Sequence, residues 1–424
     1  MKWVSNMKKI WLWAFGWILV FTGLTNAQEK EKFQPKINWN VKAQFWLRFS
    51  ELNEGSLVNN ELTGSYTDLS MRRLRIPVSS QITPKVFVYS IFGGNNYNIN
   101  DKDFRIRVLD LYVEYAFHKS FEVGIGKSGW QGLNRWNVRS NTSLMGLDSP
   151  LFTLNTVGIN DDIGRMFGVW FKGQFDKFDY RLTLNRPFLV TKAPNGRVDF
   201  ANNKPRIRVS TYFKYQFFDH ESNKSAYHVG TYLQSKKVFH LGAGYQFQHR
   251  AMSDGDATLS TTNFFDMRHW AVDSFLNLPL SNKGAITAYL GYYDYDFGNN
   301  YIRNIGANNP TSAGGSDFNG PGVAFPMIGS GTTWYMQFGY AFPKMNVFKQ
   351  ELVIQPNIAV QSSNWDALQD QMTVYDYTVN FLMDGKHARK ISLGYQYRPI
   401  FDTNTLEQKD HKGMAIIQLQ FSLK

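Results

Sequence analysis

Hydrophobic and polar side chains alternate along most of the chain beyond residue 36. In residues 37–49, six of the seven odd positions carry large apolar side chains, whereas five of the six even positions are polar. A period of two residues is typical of a β-strand, because successive side chains point to opposite faces of the sheet. The pattern therefore predicts an all-β protein whose strands have one apolar and one polar face. The same alternation recurs in residues 207–217, 239–247, 375–383 and 391–397.

Two features of these strands favour a transmembrane barrel over a soluble β-sandwich. The alternating segments run to about 10–13 residues, whereas a membrane strand needs about 9–11 and soluble strands peak near about 5–6. Aromatic side chains lie at the ends of the apolar faces, as in the girdles of outer-membrane barrels. The polar faces are rich in glycine, glutamine, asparagine, lysine and arginine, which suits a water-filled interior. The predicted fold is a transmembrane antiparallel β-barrel.

The number of strands follows from the alternation of short turns with longer loops, which is the rule in outer-membrane barrels. Residues 218–236 contain a strand-like piece, and counting it as a strand would give seventeen strands. If these residues instead form one elaborate turn, the barrel has sixteen strands and short turns again alternate with long loops. We therefore predict sixteen strands, a number that leaves an aqueous channel. The predicted strands are residues 37–49, 67–80, 85–95, 105–117, 121–128, 163–175, 178–188, 205–217, 237–249, 266–278, 285–297, 331–342, 348–362, 372–383, 388–399 and 413–424.

One long connection, residues 129–162, follows the fifth predicted strand. Connections of this length are usually functional, so we predict that it folds into the barrel as a constriction loop. The alternatives are a loop that extends into the medium and a loop that contacts a neighbouring subunit.

The first 27 residues have the pattern of a secretory signal peptide. Lys2, Lys8 and Lys9 precede an apolar run, and the sequence TNA at 25–27 provides a cleavage site. A retained membrane helix would need about 20 apolar residues, and the run from Ile10 to Leu24 is shorter. We therefore predict a signal peptide at residues 1–27 and a barrel at 28–424. The predicted location after cleavage is the outer membrane of a Gram-negative type of cell.

Basic residues on the polar faces are candidates for a pore that selects anions. The chain has a formal net charge of +12, and a stripe of cations in a narrow pore raises the local anion concentration. The alternative is that these cations pair with inward carboxylates as scaffolding. The candidate pore-lining residues are Lys42, Arg73, Arg75, Arg206, Arg208 and Lys214 on strands and Arg135 and Arg139 on the constriction loop. The inward carboxylates are Asp110, Glu114, Asp179, Asp273 and Asp376.

Six short motifs follow one another along the chain: MRRLRI at 71–76, LDLYVEY at 109–115, VGIGK at 123–127, GLNR at 132–135, NWDAL at 364–368 and DGKHA at 384–388. In their order and spacing, these motifs resemble the phosphate-selective porin family (porins O and P). The resemblance covers the whole predicted mature chain and implies a trimeric, sixteen-stranded channel with a loop folded into the pore. Phosphate-binding members carry a dense ladder of lysine and arginine, whereas here the basic residues are scattered among glutamines and asparagines.

Patterns typical of enzymes are absent from the sequence. The chain contains no cysteine, no H-E-x-x-H and no G-x-S-x-G, and His240 and His269 with nearby aspartates are more simply explained as polar residues of the lumen. We predict no catalytic activity, no cofactor, no metal and no nucleic-acid partner. The predicted protein is a passive channel for small hydrophilic solutes, with or without a preference for anions such as phosphate. It is expected to contact outer-membrane lipid and to assemble as a homotrimer. The alternative is a non-conducting structural or partner-binding barrel.

Overall fold

Sixteen antiparallel strands form one closed sheet in the part of the chain that the structure describes. The structure is a computed structural model that describes residues 33–100, 104–130, 132–137, 140–159, 164–186, 188–190, 196–255, 262–311, 313–314, 318–347 and 349–423. The predicted signal peptide, residues 1–27, and Arg139 lie outside the described residues. No helix among the described residues is long and apolar enough to span a membrane.

Each strand pairs with the next in sequence, and the first pairs with the last. Val41 faces Leu423 across this closing pair, so the sheet has no free edge. The prediction of sixteen strands is confirmed, and residues 218–236 are a connection. The strands are β1 Val41–Glu51, β2 Ser65–Thr83, β3 Val86–Tyr97, β4 Arg107–His118, β5 Phe121–Ser128, β6 Met166–Phe175, β7 Phe178–Asn185, β8 Arg208–Gln216, β9 Val238–Ser253, β10 Phe264–Pro279, β11 Ala285–Asp296, β12 Gly331–Ala341, β13 Gln350–Trp365, β14 Met372–Met383, β15 Arg389–Phe401 and β16 Gln408–Leu423.

The two ends of the barrel differ. Short turns such as residues 84–85, 119–120 and 176–177 lie at the end where β1 begins and β16 finishes, which we call the turn end. The longer connections, including residues 129–165 and 297–330, leave from the opposite end, which we call the loop end. Short strands Ile37–Trp39, Asp199–Phe200 and Met345–Val347 extend the barrel sheet, and others, such as Ile302–Ile305 paired with Phe325–Gly329, lie within the loops.

The outer surface of the barrel is apolar around its circumference. Many large hydrophobic side chains that point outward are exposed, and Leu69 is 77 % exposed. An exposed apolar surface of this extent marks contact with lipid rather than with water. Members of this band include Leu47, Leu111, Phe213, Leu241, Trp334, Phe338, Leu393 and Leu419.

The opposite side chains of the same strands point into the barrel, as the alternation predicts. Seven cations assigned to the polar face by parity are at most 3 % exposed. The predicted carboxylates contact some of them: Glu114 accepts from Lys172 at 2.7 Å, and Asp179 lies 3.7 Å from Arg181. The buried cations are Arg48, Lys172, Arg181, Arg208, Lys214, Lys390 and Arg398.

The loop-end connection 297–330 also turns inward. A sequence rich in glycine and asparagine favours a flexible external loop, yet Phe325 and Ile328 are buried in the aromatic cluster of the interior. The carbonyl oxygen of Ala307 accepts a hydrogen bond from Arg48 of β1 at 3.2 Å. This loop therefore covers part of the loop-end opening.

Candidate pore and its constriction

The described residues of the connection 129–165, which includes the predicted loop 129–162, lie inside the barrel, as predicted. We call this connection the constriction loop. The ring of Trp136 packs edge-on against Tyr289 of β11, with centroids 5.4 Å apart. Lys390 donates to the carbonyl oxygen of Leu144 at 2.9 Å. The carbonyl oxygen of Met145 accepts from Asn357 at 2.8 Å and from Asn380 at 2.7 Å. Inward polar side chains of β13–β15 thus hold the loop by its backbone.

Glycines on the inner face make room for this loop. A Cβ atom on Gly244 of β9 would overlap the backbone of Leu133. Gly339 and Gly394 similarly leave space for side chains of the constriction loop, those of Met145 and Leu147. These three glycines of the polar face are therefore docking positions for the loop, and the space left inside the barrel is narrower than the strand number implies.

Substituting Gly244→Val is expected to displace residues 132–133 of the constriction loop, because its side chain would occupy the space of the Leu133 backbone. We expect limited proteolysis of the folded protein to cleave this loop faster than in the wild type. The matched control is Ala415→Val on β16, whose side chain is exposed on the outer face. If the constriction loop were cleaved at the same rate in Gly244→Val and in the wild type, the close packing of Leu133 against Gly244 would be contradicted.

A second connection enters the barrel from the turn end. Residues 217–237, which we call the inserted segment, join β8 to β9. The hydroxyl of Thr231 lies 2.8 Å from that of Thr287 on β11, and its carbonyl oxygen lies 3.0 Å from Nε2 of His387. The segment predicted to be an elaborate turn is thus anchored to the inner wall.

The inserted segment and the constriction loop meet inside the barrel. Arg135 donates to Glu221 at 2.5 Å, and its guanidinium lies 3.7 Å from the centroid of the Phe275 ring. The backbone N–H of Ser140 donates to the carbonyl oxygen of His228 at 2.7 Å. Arg135 was a candidate pore-lining residue, but it is buried and its guanidinium joins these two segments.

The turn-end cavity lies between these two segments and the wall formed by β1, β2 and β3. Its volume is about 180 Å³. Residues 140–142 of the constriction loop and Tyr227 of the inserted segment form one side. Four cations line the cavity: Lys42, Arg73, Arg75 and Arg165.

These cations are only partly neutralised. Arg73 pairs with Asp148, and Arg165 pairs with Asp110 at 2.9 Å. Arg75 donates to the carbonyl oxygen of Gly94 at 2.8 Å and to other uncharged oxygens. Within the described residues, neither Arg75 nor Lys42 has a carboxylate partner. The cavity therefore carries an excess of positive charge.

A β-bulge aims a further arginine into the barrel. Gln44 of β1 pairs with Arg73, whereas Phe45 pairs with Met71, so that Arg72 is the extra residue on β2. A bulge changes the side to which the following side chains point, so Arg72 and Arg73 both face inward and are 2 % and 3 % exposed. Strict alternation assigned Arg72 to the outer face, so the sequence analysis missed it; the run of two adjacent arginines was the available signal.

The remaining candidate residues occupy different surroundings. Arg206 is exposed and precedes β8, so it does not share the interior with Arg208. Arg208 is fully buried beside the Met166 sulfur at 2.9 Å. Lys214 donates to Glu221 at 3.1 Å. The structure thus brings Lys42, Arg73 and Arg75 to the cavity and places Arg208 and Lys214 elsewhere in the interior.

The histidines considered as possible catalytic groups lie in structural contacts. Nδ1 of His240 is 3.4 Å from Glu221, and the ring of His269 packs on Phe297, with centroids 4.3 Å apart. Among the described residues, no group of three or more histidine, aspartate and glutamate side chains is arranged to hold a metal ion.

Comparison with solved structures identifies the fold. The outer-membrane channel DcaP of Acinetobacter baumannii is similar with a TM-score of 0.51 and 11 % identity, covering 93 % of this chain and all of that one. OprB of Pseudomonas putida is similar with a TM-score of 0.54 and 9 % identity, covering 91 % of this chain and 94 % of that one. The chain has the fold of an outer-membrane porin.

Comparisons by sequence add no family. No family model matches the chain, and no curated protein matches it. At 9–11 % identity the solved structures show the fold alone, so the resemblance to phosphate-selective porins stays a prediction.

Proposed function

We propose that this protein is a passive outer-membrane channel for small hydrophilic solutes and that it prefers anions, phosphate among them. The observation that carries this proposal is the turn-end cavity, where four cations face one opening and Lys42 and Arg75 have no carboxylate partner among the described residues. A net positive charge in a narrow, low-dielectric passage concentrates anions and repels cations.

The apolar outer band and the predicted signal peptide support an outer-membrane location. In that setting the turn end faces the periplasm and the loop end faces the medium, as in other barrels with short periplasmic turns. The resemblance to the porin family implies a homotrimer. No catalytic step is needed, because solutes move down their own gradients.

The reversal potential under a KCl gradient tests the anion preference. We expect the wild-type channel to favour chloride over potassium and Arg75→Gln to reduce the chloride-to-potassium permeability ratio several-fold, because it removes an inward charge that no described carboxylate neutralises. Low ionic strength should enlarge the difference in permeability ratio between the wild type and Arg75→Gln, because salt screens the charge less. Arg206→Gln is the matched control, since it removes the same charge from an exposed position. Equal reversal potentials for all three proteins would contradict anion selection at this cavity.

One observation favours a second function, that of a non-conducting structural or partner-binding barrel. The constriction loop, the inserted segment and the connection 297–330 all occupy the interior. The same bilayer experiment separates the two functions, because folded protein that gives no openings would favour the structural barrel.

A further inference from the structure

We infer that Arg72 and Arg73 form an oxyanion-binding site that Asp148 occupies in this structure, and that a permeating oxyanion displaces Asp148 and joins cavities that it now separates. The inference rests on the proposed channel function and deepens it. The chemical class is a small anion with at least two oxygens that can bridge neighbouring guanidinium groups, such as phosphate or a carboxylate.

The geometry of Asp148 is that of a bound oxyanion. Arg72 donates to Oδ2 from Nη2 at 2.6 Å and from Nε at 2.9 Å, and Arg73 donates to Oδ1. The backbone N–H of Ser149 also donates to Oδ1 at 2.7 Å. Planar guanidinium groups that bind both oxygens of a carboxylate recognise phosphate by the same geometry.

The two arginines are held in place independently of Asp148. Nη1 of Arg72 donates to Asn96 at 2.5 Å, and its guanidinium lies 5.3 Å from the Trp46 ring centroid. Nη1 of Arg73 donates to Gln44 at 2.9 Å. Together with the bulge on β2, these contacts keep the pair oriented when the carboxylate leaves, so the site is preorganised for another anion.

Asp148 stands where the cavities meet. It lines a loop-end cavity of about 70 Å³, whereas Arg73 lines the turn-end cavity. A smaller cavity of about 30 Å³ shares Ser149 with the first and Arg73 with the second. The ion pair between Asp148 and Arg73 is therefore part of the partition along the path.

A change of pH is a poor way to open this partition. Burial disfavours the charge of Asp148, but the nearby charges of Arg72 and Arg73 outweigh burial and lower the pKa of its carboxyl group. Asp148 therefore remains ionised in mild acid. A competing anion can replace it without leaving the buried guanidinium groups unpaired, which would be costly.

Asp148→Asn tests the inference in planar bilayers. We expect the variant to have a higher conductance than the wild type. We also expect inorganic phosphate to inhibit the chloride current of the variant at a concentration at least about tenfold lower than that needed for the wild type, because the carboxylate that competes with phosphate for the arginines has been removed. Asp148→Glu should restore inhibition close to the wild-type concentration. The matched control is Glu351→Gln, which removes the same charge from an exposed pair with Lys344.

The absence of cysteine from the chain allows a second test. We expect Asp148→Cys to behave like Asp148→Asn. Modification with a negatively charged thiol reagent should weaken phosphate inhibition again, whereas a positively charged reagent should not. This reversal would not be expected if Asp148 merely supported the fold.

The outcomes separate the inference from the proposed function. A wild-type channel that prefers anions, with unchanged phosphate inhibition in Asp148→Asn, would overturn the inference and leave the function standing. A wild-type channel without anion preference would overturn the function; tighter phosphate inhibition in Asp148→Asn would still support the site. Equal changes in Asp148→Asn and Glu351→Gln would also overturn the inference, since net charge alone would explain them.

Discussion

Replacing residues 222–230 with a short glycine linker is expected to raise the single-channel conductance several-fold. This part of the inserted segment lies inside the barrel, where Ser225, Tyr227 and Val229 line the turn-end cavity. A barrel of sixteen strands without such a segment leaves a wide aqueous channel. The conductance would then be limited by the constriction loop and by the connection 297–330.

The segment also positions Arg165, which lines the cavity, and its partner Asp110. The hydroxyl of Tyr227 lies 2.8 Å from Asp110 and 3.1 Å from Arg165. Without it, Asp110 and Arg165 face water, so we expect the chloride preference to fall while the conductance rises. Tyr227→Ala should produce a smaller change in the same direction.

Folding of the linker variant is checked by heat-modifiable mobility on a gel. The control replaces residues 403–405, an exposed part of a loop-end connection, with glycines and should leave the conductance unchanged. A folded linker variant with wild-type conductance would mean that the inserted segment does not limit the flow.

Much of the barrel could be predicted from the sequence because a period of two residues determines which side chains point inward. Arg208 and Lys214 were placed in the interior by parity, and both are buried. The outer face is apolar for the same reason, since lipid and lumen impose opposite requirements on alternate residues. The strand ends predicted on either side of residues 176–177 also agree with the structure, where β6 ends at Phe175 and β7 begins at Phe178.

The candidate site was harder to predict because it depends on local breaks in that period and on distant contacts. The bulge at Arg72 adds one residue to the strand, and the alternation of apolar and polar residues does not indicate its position. Arg135 and Glu221 are 86 positions apart, and nothing in their neighbourhoods indicates that they pair. Gly394 lies on the polar face of the alternating segment 391–397, and the polar faces were expected to line a water-filled interior; in the structure it leaves space for Leu147 of the constriction loop.

Glu221→Gln is expected to destabilise the folded protein by about 3–5 kcal/mol, the usual cost of breaking a buried ion pair from one side. Glu221 is 1 % exposed and accepts hydrogen bonds from Arg135 at 2.5 Å, Lys214 at 3.1 Å and the Tyr232 hydroxyl at 2.9 Å. A neutral amide leaves two buried cations without this counter-charge. The decrease in the free energy of unfolding is measured by urea unfolding in detergent, with tryptophan fluorescence as the signal.

The charge of Glu221 also sets a dependence on pH. Burial opposes its ionisation, but Arg135 and Lys214 outweigh burial and hold its pKa well below the ordinary value of 4.5. A lowered carboxyl pKa contributes stability that is present above the ordinary value and is lost as the pH falls through the lower one. Below about pH 4.5, the wild type should therefore lose stability more steeply than Glu221→Gln.

Two further variants separate the ion pair from a general effect of charge. Glu351→Gln removes an exposed carboxylate and should change the unfolding free energy by less than about 1 kcal/mol. Adding Arg135→Met to Glu221→Gln removes the unpaired guanidinium and should recover part of the loss, because the cost comes from the charge left behind rather than from the pair itself. If the double variant were as unstable as the sum of both single variants, the coupling of the inserted segment to the constriction loop through this pair would be refuted.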